Sequence, residues 1–310
     1  MIVTQKKRIP WSWVVVMAIP FFANNYVEMC SGAPLIFTIK KFIDNPALIA
    51  FLLSINIAFN FLIAPFVAYH SDRIWTRFGR RKPFVVVGWL GVVCSLIALP
   101  LAPNAWTLVL IIVLYQLFED VAFTGPWQPL YYEVVPPSQR GRGSAINHAM
   151  QGLMGLIMNF GLIAQFDKIY NLPGEVGALA GRPITVTGEL VLYWLGAAVV
   201  FAALVLIMLG IKETPVQNVV VRERFSIIRF VRNMFGDRQW LLIYMLIFGQ
   251  IGLNAGLALI EPLMITEQFG YTKKMFGHVS GYSDIFLLVV CLPIIGFLAD
   301  RVDRLKLFQI

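Results

Sequence analysis

The sequence predicts an all-α integral membrane protein with about eight transmembrane helices. Of its 310 residues, 58% are hydrophobic and 14% are charged, and the mean hydropathy is +0.74. Soluble domains have about 45–50% apolar and about 25% charged residues. The apolar residues also form runs long enough to cross a bilayer, which takes about 20 residues. No run alternates apolar and polar residues with period two, so an outer-membrane barrel is excluded.

Eight apolar runs give the predicted spans, and several exceed the minimum length, which permits tilt or a kink. In order they are Trp11–Ile39, Pro46–Tyr69, Phe84–Leu101, Trp106–Val135, Ser144–Phe166, Leu190–Ile211, Trp240–Phe269 and Phe276–Ala299. The fourth run is expected to be discontinuous, because it contains Gly125-Pro126 and Pro129. A broken membrane helix is tolerated only where it is buried in protein or lines a cavity.

The basic residues set the orientation. Most of the 25 lysines and arginines fall on one side of the predicted spans, which places the N-terminus in the cytoplasm and suits a multi-pass protein of a bacterial inner or plasma membrane. This topology and contact with anionic lipid account for the net charge of +8, so no nucleic-acid partner is expected. Cys30, Cys94 and Cys291 lie in separate spans without metal-ligand spacing. We therefore expect no metal site and no cofactor.

A polar loop rich in arginine follows the second run, and a shorter copy follows the eighth. The first spans Asp72–Arg81 and the second lies within Gly296–Arg304. Gly79 permits a tight turn, and Asp72 can pair with an arginine and hold the loop in one state. A simple anchor of positive charge is the alternative, but it does not explain why the Asp-Arg order recurs. Recurrence at matching places indicates a duplicated helical bundle, an arrangement typical of secondary transporters.

The duplication predicts the domain organisation. Residues 1–211 form a six-helix half, 212–239 a cytoplasmic linker, and 240–310 the first two helices of a second half. Apolar residues of the linker recur on one helical face, so we expect it to lie on the membrane surface; a partner-binding helix is the alternative. Four helices of an expected twelve are then missing, and we expect that the 310 residues do not carry solute alone, unless a second copy supplies the missing surface.

Carboxylates inside the apolar runs are candidate functional residues. A charge within the membrane costs about 2.5–3.5 kcal/mol on insertion scales, so an ionisable residue there indicates a function. Glu28 lies in the first run, and Glu119 and Asp120 lie in the fourth, with no lysine or arginine in either run. Because a buried carboxylate needs a partner or a proton, we expect proton coupling through Asp120, with Glu28 or Glu119 assisting. His148 is a candidate relay, and a solvated or structural histidine is an equal alternative.

Amide side chains on the same helices predict a solute site. Gln116 and Asp120 lie on one helical face. Amides both donate and accept hydrogen bonds, which suits hydroxyl groups, and no midspan arginine is present to hold an anion. We therefore expect a neutral sugar or glycoside, with Tyr26, Tyr115 and Trp127 stacking on it. The predicted binding residues are Asn24, Asn25, Tyr26, Asn56, Asn60, Gln116, Gln250 and Asn254. For Asn56, Asn60, Gln250 and Asn254, hydrogen bonding between helices is the alternative.

The arginine loops resemble the signature G-x-L-A-D-R-x-G-R-[RK] of the major facilitator superfamily. The copy at Gly296–Arg304 has Asp303 in place of the glycine, and the first copy has four extra residues before Gly79. That longer form, with Asp120-Val121-Ala122, Gly125-Pro126 and Glu133, is similar to sucrose/proton symporters and the wider glycoside–pentoside–hexuronide:cation symporter group. The resemblance implies alternating access with gating residues Asp72, Arg73, Gly79, Arg80, Arg81, Glu133, Asp300, Arg301 and Arg304.

The function implied by the resemblance is secondary active transport of a small solute, coupled to protons or another cation. One branch with similar loops delivers pigment or assists complex assembly, so a non-transporting membrane accessory factor is the alternative. An enzyme is not expected, because the sequence has no H-E-x-x-H, no G-x-S-x-G and no P-loop.

Overall fold

The computed structural model describes residues 16–171, 185–210 and 261–291, together with Pro10 and scattered positions between 232 and 249. Its helices are α1 (Ile19–Cys30), α2 (Ala33–Ile39), α3 (Pro46–Ser71), α4 (Lys82–Ala98), α5 (Ala105–Ala122), α6 (Gln128–Val134), α7 (Pro137–Leu156), α8 (Gly188–Gly210) and α9 (Lys273–Phe286). The described chain is helical almost throughout, which confirms the all-α prediction.

Four of the described helical segments are long and apolar enough to cross a membrane. They are Pro46–Ser71, Lys82–Leu101, Ala105–Ala122 and Gly188–Gly210. They match the second, third, fourth and sixth predicted runs. Large apolar side chains such as Leu90 of α4 and Phe201 and Leu209 of α8 remain exposed on their outer surfaces. A helix that is apolar all round suits contact with lipid on one side and with the bundle on the other.

The first predicted run is not one helix but two. Helix α1 ends at Cys30 and α2 begins at Ala33, so Ser31 and Gly32 separate them. Pro34 stands in the first turn of α2, where its missing N–H costs nothing. The excess length of this run permitted such a kink, and Ser31 at the break lines the interior of the bundle.

The break expected in the fourth run is present, between α5 and α6. A π-helical turn spans Phe123–Trp127 and contains Pro126. Proline lacks an N–H and its ring displaces the preceding carbonyl, so the helix widens for one turn and then resumes at Gln128. A second π turn, Ile157–Leu162, extends α7.

The helices pack through small residues and a continuous apolar core. Helix α4 lies so close to α5 that a Cβ atom at Gly88 would stand 2.6 Å from the backbone nitrogen of Ala122. Helix α1 packs on α7 and α8, and α3 packs on α5. The inner faces of α1, α3 and α5 therefore meet around a common space.

Two short strands were not predicted. Strand β1 (Ile169–Asn171) pairs antiparallel with β2 (Thr185–Thr187), with Ile169 opposite Thr187. They stand just before α8, at the end of the bundle where α2 finishes and α3, α8 and α9 begin. We call this the far end, since the arginine loop between α3 and α4 lies at the other.

Several predictions fall outside the described residues. The structure gives no side-chain account of the linker's apolar face or of most of the seventh run. The predicted binding residues Gln250 and Asn254 and the predicted gating residues Asp300, Arg301 and Arg304 also lie outside the described residues. The eighth run begins at Lys273 as α9, three residues before its predicted start, and continues through a π turn over Leu287–Cys291.

Replacing Gly88 by alanine should destabilise the protein. The added methyl group would overlap the backbone of Ala122, which cannot rotate away, and overpacking of this kind costs about 1–3 kcal/mol. The same substitution at Gly161 is the matched control, because nothing lies within 4 Å of a Cβ atom there. Thermal unfolding in detergent measures both. Equal melting temperatures for the two variants would contradict the close packing of α4 on α5.

Candidate functional site

Helices α1, α3 and α5 enclose a cavity of about 360 Å³, which we call the central cavity. The described residues that line it are Asn24, Glu28, Ser31, Gly32, Ile36, Leu53, Ser54, Asn56, Ile57, Asn60, Gln116, Glu119, Asp120 and Phe123. Seven of these were predicted from the sequence as binding or coupling residues. None of the lining residues is a lysine or an arginine, so no fixed positive charge on this wall balances its carboxylates.

Helix α5 supplies the most buried polar atoms of the wall. Gln116 and Asp120 are 1% and 2% exposed and stand one helical turn apart. The Gln116 Nε2 atom donates to the Leu52 carbonyl of α3 at 3.2 Å. Its Oε1 atom and the Asp120 Oδ2 atom have no hydrogen-bond partner among the residues that the structure describes. Two buried acceptors on residues that line the cavity are thus unsatisfied among the described residues, in surroundings where such a group costs about 1–3 kcal/mol.

Glu119 faces the same cavity but is partly satisfied. Asn56 Nδ2 of α3 lies 3.4 Å from its Oε2 atom, and the Ser31 hydroxyl lies 3.5 Å from the same oxygen. The Ser31 Oγ atom is also 3.2 Å from the Tyr115 hydroxyl. Sequence reasoning missed Ser31, although it lies seven residues after Asn24 and three after Glu28, on the same helical face. That spacing was the available signal.

Glu28 was expected to be buried, and this was wrong. Its side chain is exposed at the open side of the cavity, where Asn24 Nδ2 donates to its Oε1 atom at 2.7 Å. Asn24 itself is buried. The two residues are four apart and share the inner face of α1, so the carboxylate reaches the open space while the amide stays in the wall.

The predicted aromatic platforms do not line the cavity. Tyr26 is buried against α8, where its hydroxyl donates to the Leu192 carbonyl at 2.7 Å. The Tyr115 hydroxyl donates to the Val27 carbonyl at 2.6 Å. Trp127 is fully buried beside Phe21, with ring centroids 5.9 Å apart. All three rings are core residues, so the expectation that they stack on a sugar was wrong.

Two further predicted site residues also point elsewhere. Asn25 donates to the Gln151 carbonyl of α7 at 3.0 Å and so joins α1 to α7. His148 is exposed, with its Nδ1 atom 3.1 Å from the Gln151 side chain. Neither lines the central cavity, and the structural role weighed for His148 fits its position better than a relay.

The arginine loop is organised around carboxylates from two helices. Asp72 caps the end of α3 and accepts from Arg81 Nη2 at 2.6 Å. The Arg81 Nη1 atom lies 3.1 Å from Glu133 Oε1 of α6, which Arg80 also contacts. Gly79 has a φ of 116°, which strongly favours glycine. The Arg73 guanidinium stacks on the Tyr69 ring, 4.1 Å from its centre.

A family model supplies the comparison with known proteins. The model for the Major Facilitator Superfamily matches residues 12–310, nearly the whole chain. The chain belongs to this superfamily. Its members carry small solutes across membranes and are generally not enzymes. The protein is therefore an integral, multi-pass membrane protein of a transporter superfamily, as its apolar helices already indicated.

In this major facilitator protein, the far end is held together by contacts that residues 33–167 make with α9 and with the π turn Met264–Gln268 before it. Lys40 pairs with Glu267, and Lys273 Nζ lies 2.6 Å from Asp167 Oδ1. The Phe37 ring packs edge-on against Phe276, with centroids 6.0 Å apart. Deeper along α9, Asp284 accepts from Asn159 at 2.7 Å. Ionic and aromatic contacts therefore join the two parts of the chain at this end.

A buried carboxylate at the far end contrasts with those of the cavity. Glu189, in the first turn of α8, is 3% exposed. Its Oε1 atom accepts from the Thr38 hydroxyl at 2.7 Å, and its Oε2 atom accepts from Lys41. The Thr38 hydroxyl also lies 3.0 Å from the hydroxyl of Tyr193. This carboxylate has donors on both oxygens, so it serves to join α2 to α8.

Replacing Arg81 by alanine should destabilise the loop end of the bundle. The change leaves Asp72 and Glu133 facing each other without the guanidinium between them, a loss of about 1–3 kcal/mol. Thermal unfolding in detergent measures it. Arg77→Ala is the matched control, because the exposed Arg77 only stacks on the Phe78 ring and should shift stability by less than about 0.5 kcal/mol. Similar shifts for both variants would rule out an organising role for Arg81.

Proposed function

We propose that this protein is a secondary active transporter of a hydroxyl-rich small solute, such as a sugar or glycoside, coupled to protons and working by alternating access. The observation that supports this most strongly is the central cavity, where three carboxylates and four amides line one space without a lysine or arginine on the described wall. Ionisable groups inside membrane helices are costly and commonly mark the path of a substrate or an ion.

Coupling to protons is supported by the state of Asp120. Its buried Oδ2 atom lacks a donor, and a carboxylate in apolar surroundings gains by taking up a proton when no cation is near. Protonation and release at this position would therefore change the polarity of the cavity. Glu119, next in sequence and partly satisfied by Asn56 and Ser31, is placed to assist.

Alternating access is supported by the different contacts at the two ends. At the far end, ion pairs and an aromatic contact join the first half to α9 and to the π turn before it, and they form one gate. At the other end, the loop cluster of Asp72, Arg81 and Glu133 forms a second gate. We place the loop in the cytoplasm together with the N-terminus, in a bacterial inner or plasma membrane, because most basic residues belong to that side.

Uptake or counterflow in proteoliposomes with a panel of neutral sugars, glycosides and organic anions tests the function. Uptake of a sugar or glycoside that collapses when the proton gradient is dissipated is the expected result. Selective uptake of an organic anion without any sugar uptake would contradict the proposed substrate class. No uptake of any solute would favour the accessory factor instead.

The variant Asp120→Asn should retain solute exchange but lose accumulation driven by a pH gradient. Asparagine keeps the size and polarity of the side chain but cannot take up the coupling proton. Counterflow measures exchange, and uptake against an imposed gradient measures accumulation. Asp44→Asn, on an exposed loop away from the cavity, is the matched control and should behave as the parent. Unchanged accumulation in Asp120→Asn would remove Asp120 from the coupling step.

Reversing one charge of the Lys40–Glu267 pair should alter the exchange rate, and reversing both should restore it. Lys40→Glu places two carboxylates together at the far end and disfavours its closed state. Both side chains are partly exposed, so the effect should stay below about tenfold. Counterflow rates of the single variants and of the Lys40→Glu, Glu267→Lys double variant measure the coupling. A double variant no better than the singles would exclude a direct role for this pair.

A further inference from the structure

We propose that the transported solute carries a protonated amine beside its hydroxyl groups, as an amino sugar does, and that Gln116 and Glu28 bind that amine while Asp120 carries the coupling proton. This inference rests on the proposed function, since it assigns a substrate class to the same cavity. It replaces the neutral solute expected from the sequence. Four features of the cavity lead to it.

The first feature is the charge of the wall. Glu28, Glu119 and Asp120 all line the cavity, and no lysine or arginine does so among the residues that the structure describes. The proton that couples transport can neutralise one carboxylate at a time. A solute with a positive charge would balance another, whereas a neutral solute would leave it without a counter-charge in a medium of low dielectric constant.

The second feature is the pair of unsatisfied acceptors on α5. Gln116 Oε1 and Asp120 Oδ2 are buried and lack hydrogen-bond partners among the described residues, and both side chains line the cavity. They stand one turn apart on the same helical face. A ligand that satisfies both must bring hydrogen-bond donors to this face.

The third feature is the orientation of the amides. Asn24 Nδ2 donates to Glu28, Asn56 Nδ2 lies against Glu119, and Gln116 Nε2 donates to the Leu52 carbonyl. An amide oxygen next to an acceptor would repel it, so these three neighbours fix which end of each amide is the nitrogen. The oxygen of each amide is then the end that can accept from the solute, and each nitrogen has already used one of its two donors. The Ser54 hydroxyl is likewise engaged, because it donates to the Phe51 carbonyl at 2.7 Å.

The fourth feature is the chemistry of the group that fits. A protonated primary amine has three donors and no acceptor, so it suits a wall that carries three carboxylates. Its hydrogen bonds to carboxylates are about twice as strong as those between neutral groups. A hydroxyl group can also donate here, but it brings no charge to balance a carboxylate. An anionic solute would be repelled by the same carboxylates.

Glu189 shows that unsatisfied oxygens are not general to buried carboxylates in this chain. It is as buried as Asp120, yet Thr38 and Lys41 donate to its two oxygens. The protein thus supplies its own cation where a carboxylate serves to join helices. Beside Asp120 the described residues supply no cation, and the Asp120 side chain lines the central cavity.

The test compares three hexoses that differ mainly in charge, namely glucosamine, glucose and glucuronate. Equilibrium binding to the purified chain is measured at neutral pH, where an amine of this type is mostly protonated. We expect glucosamine to bind at least about tenfold more tightly than glucose, since a charge-assisted hydrogen bond is worth that much. Glucuronate should bind most weakly.

Variants then assign the preference to the named residues. Glu28→Gln, at an exposed position that tolerates replacement, and Gln116→Met should each lower the ratio of glucosamine to glucose affinity several-fold, while Ser95→Ala should leave it unchanged. The Ser95 hydroxyl bonds to the Gly91 carbonyl within α4, away from the cavity. A misfolded variant would lose binding of all three sugars, so the ratio separates recognition from stability.

Equal binding of glucose and glucosamine, preference for glucose or glucuronate, or no binding of glucosamine would each overturn this inference. So would a preference for glucosamine that survives in both Glu28→Gln and Gln116→Met. Proton-driven uptake of a neutral sugar together with any of these results would leave the proposed function standing. A chain that takes up no solute of the uptake panel would instead overturn the function itself.

Discussion

The hydrocarbon core of a bilayer supplies no hydrogen bonds, and the arrangement of this protein depends on that constraint. Every polar group within the spans must find a partner inside the protein, or remain unsatisfied at a cost of about 1–3 kcal/mol. Most groups here find one. Tyr26 and Tyr115 donate to backbone carbonyls, Asn25 joins α1 to α7, and Glu189 receives donors from α2 and Lys41. These contacts fix the helices relative to one another.

The few buried polar atoms that lack a partner among the described residues therefore indicate where a solute or a proton could bind. Gln116 Oε1 and Asp120 Oδ2 lie on one face of α5, beside an open cavity and opposite Asn56 of α3. Their position follows from the close contact of α4 and α5 at Gly88, which presses the opposite face of α5 toward α1 and α3. Packing of small residues on one side of the helix therefore determines where its polar side chains can meet a solute.

The spans were predictable because their signal is length and hydropathy, which depend little on tertiary structure. The second, third and sixth runs agree with α3, α4 and α8 to within a few residues. Asn24 and Glu28 were also found, since a charge or amide in an apolar run stands out. Tyr26 was placed wrongly. It lies two residues after Asn24, and two residues along a helix turn a side chain to nearly the opposite face, so the periodicity already argued against it. Ser31 was missed although it shares the helical face of Asn24 and Glu28, because a small hydroxyl stands out less in an apolar run than a charge or an amide.

The mixed result for aromatic residues has a physical origin. A buried tyrosine needs a partner for its hydroxyl, and either a neighbouring helix or a ligand can provide one. The sequence does not distinguish these cases, and here Leu192 and Val27 provide the acceptors. Trp127 is the last residue of the π turn that begins at Phe123, and its indole packs in the core beside Phe21. Helical periodicity counted from α5 does not carry through such a turn.

Helix α8 contributes no residue to the described cavity wall, yet it is hydrogen-bonded to the chain on both sides of the gap between α1 and α2. Tyr26 before the gap is tied to Leu192, and Thr38 and Lys41 after it are tied to Glu189, one turn away on the same helix. Ser31 and Gly32 are thus bridged from behind. These contacts restrict movement at the two-residue gap. Through them, α8 helps to keep the Ser31 hydroxyl beside Glu119, although α8 does not contact Glu119 there.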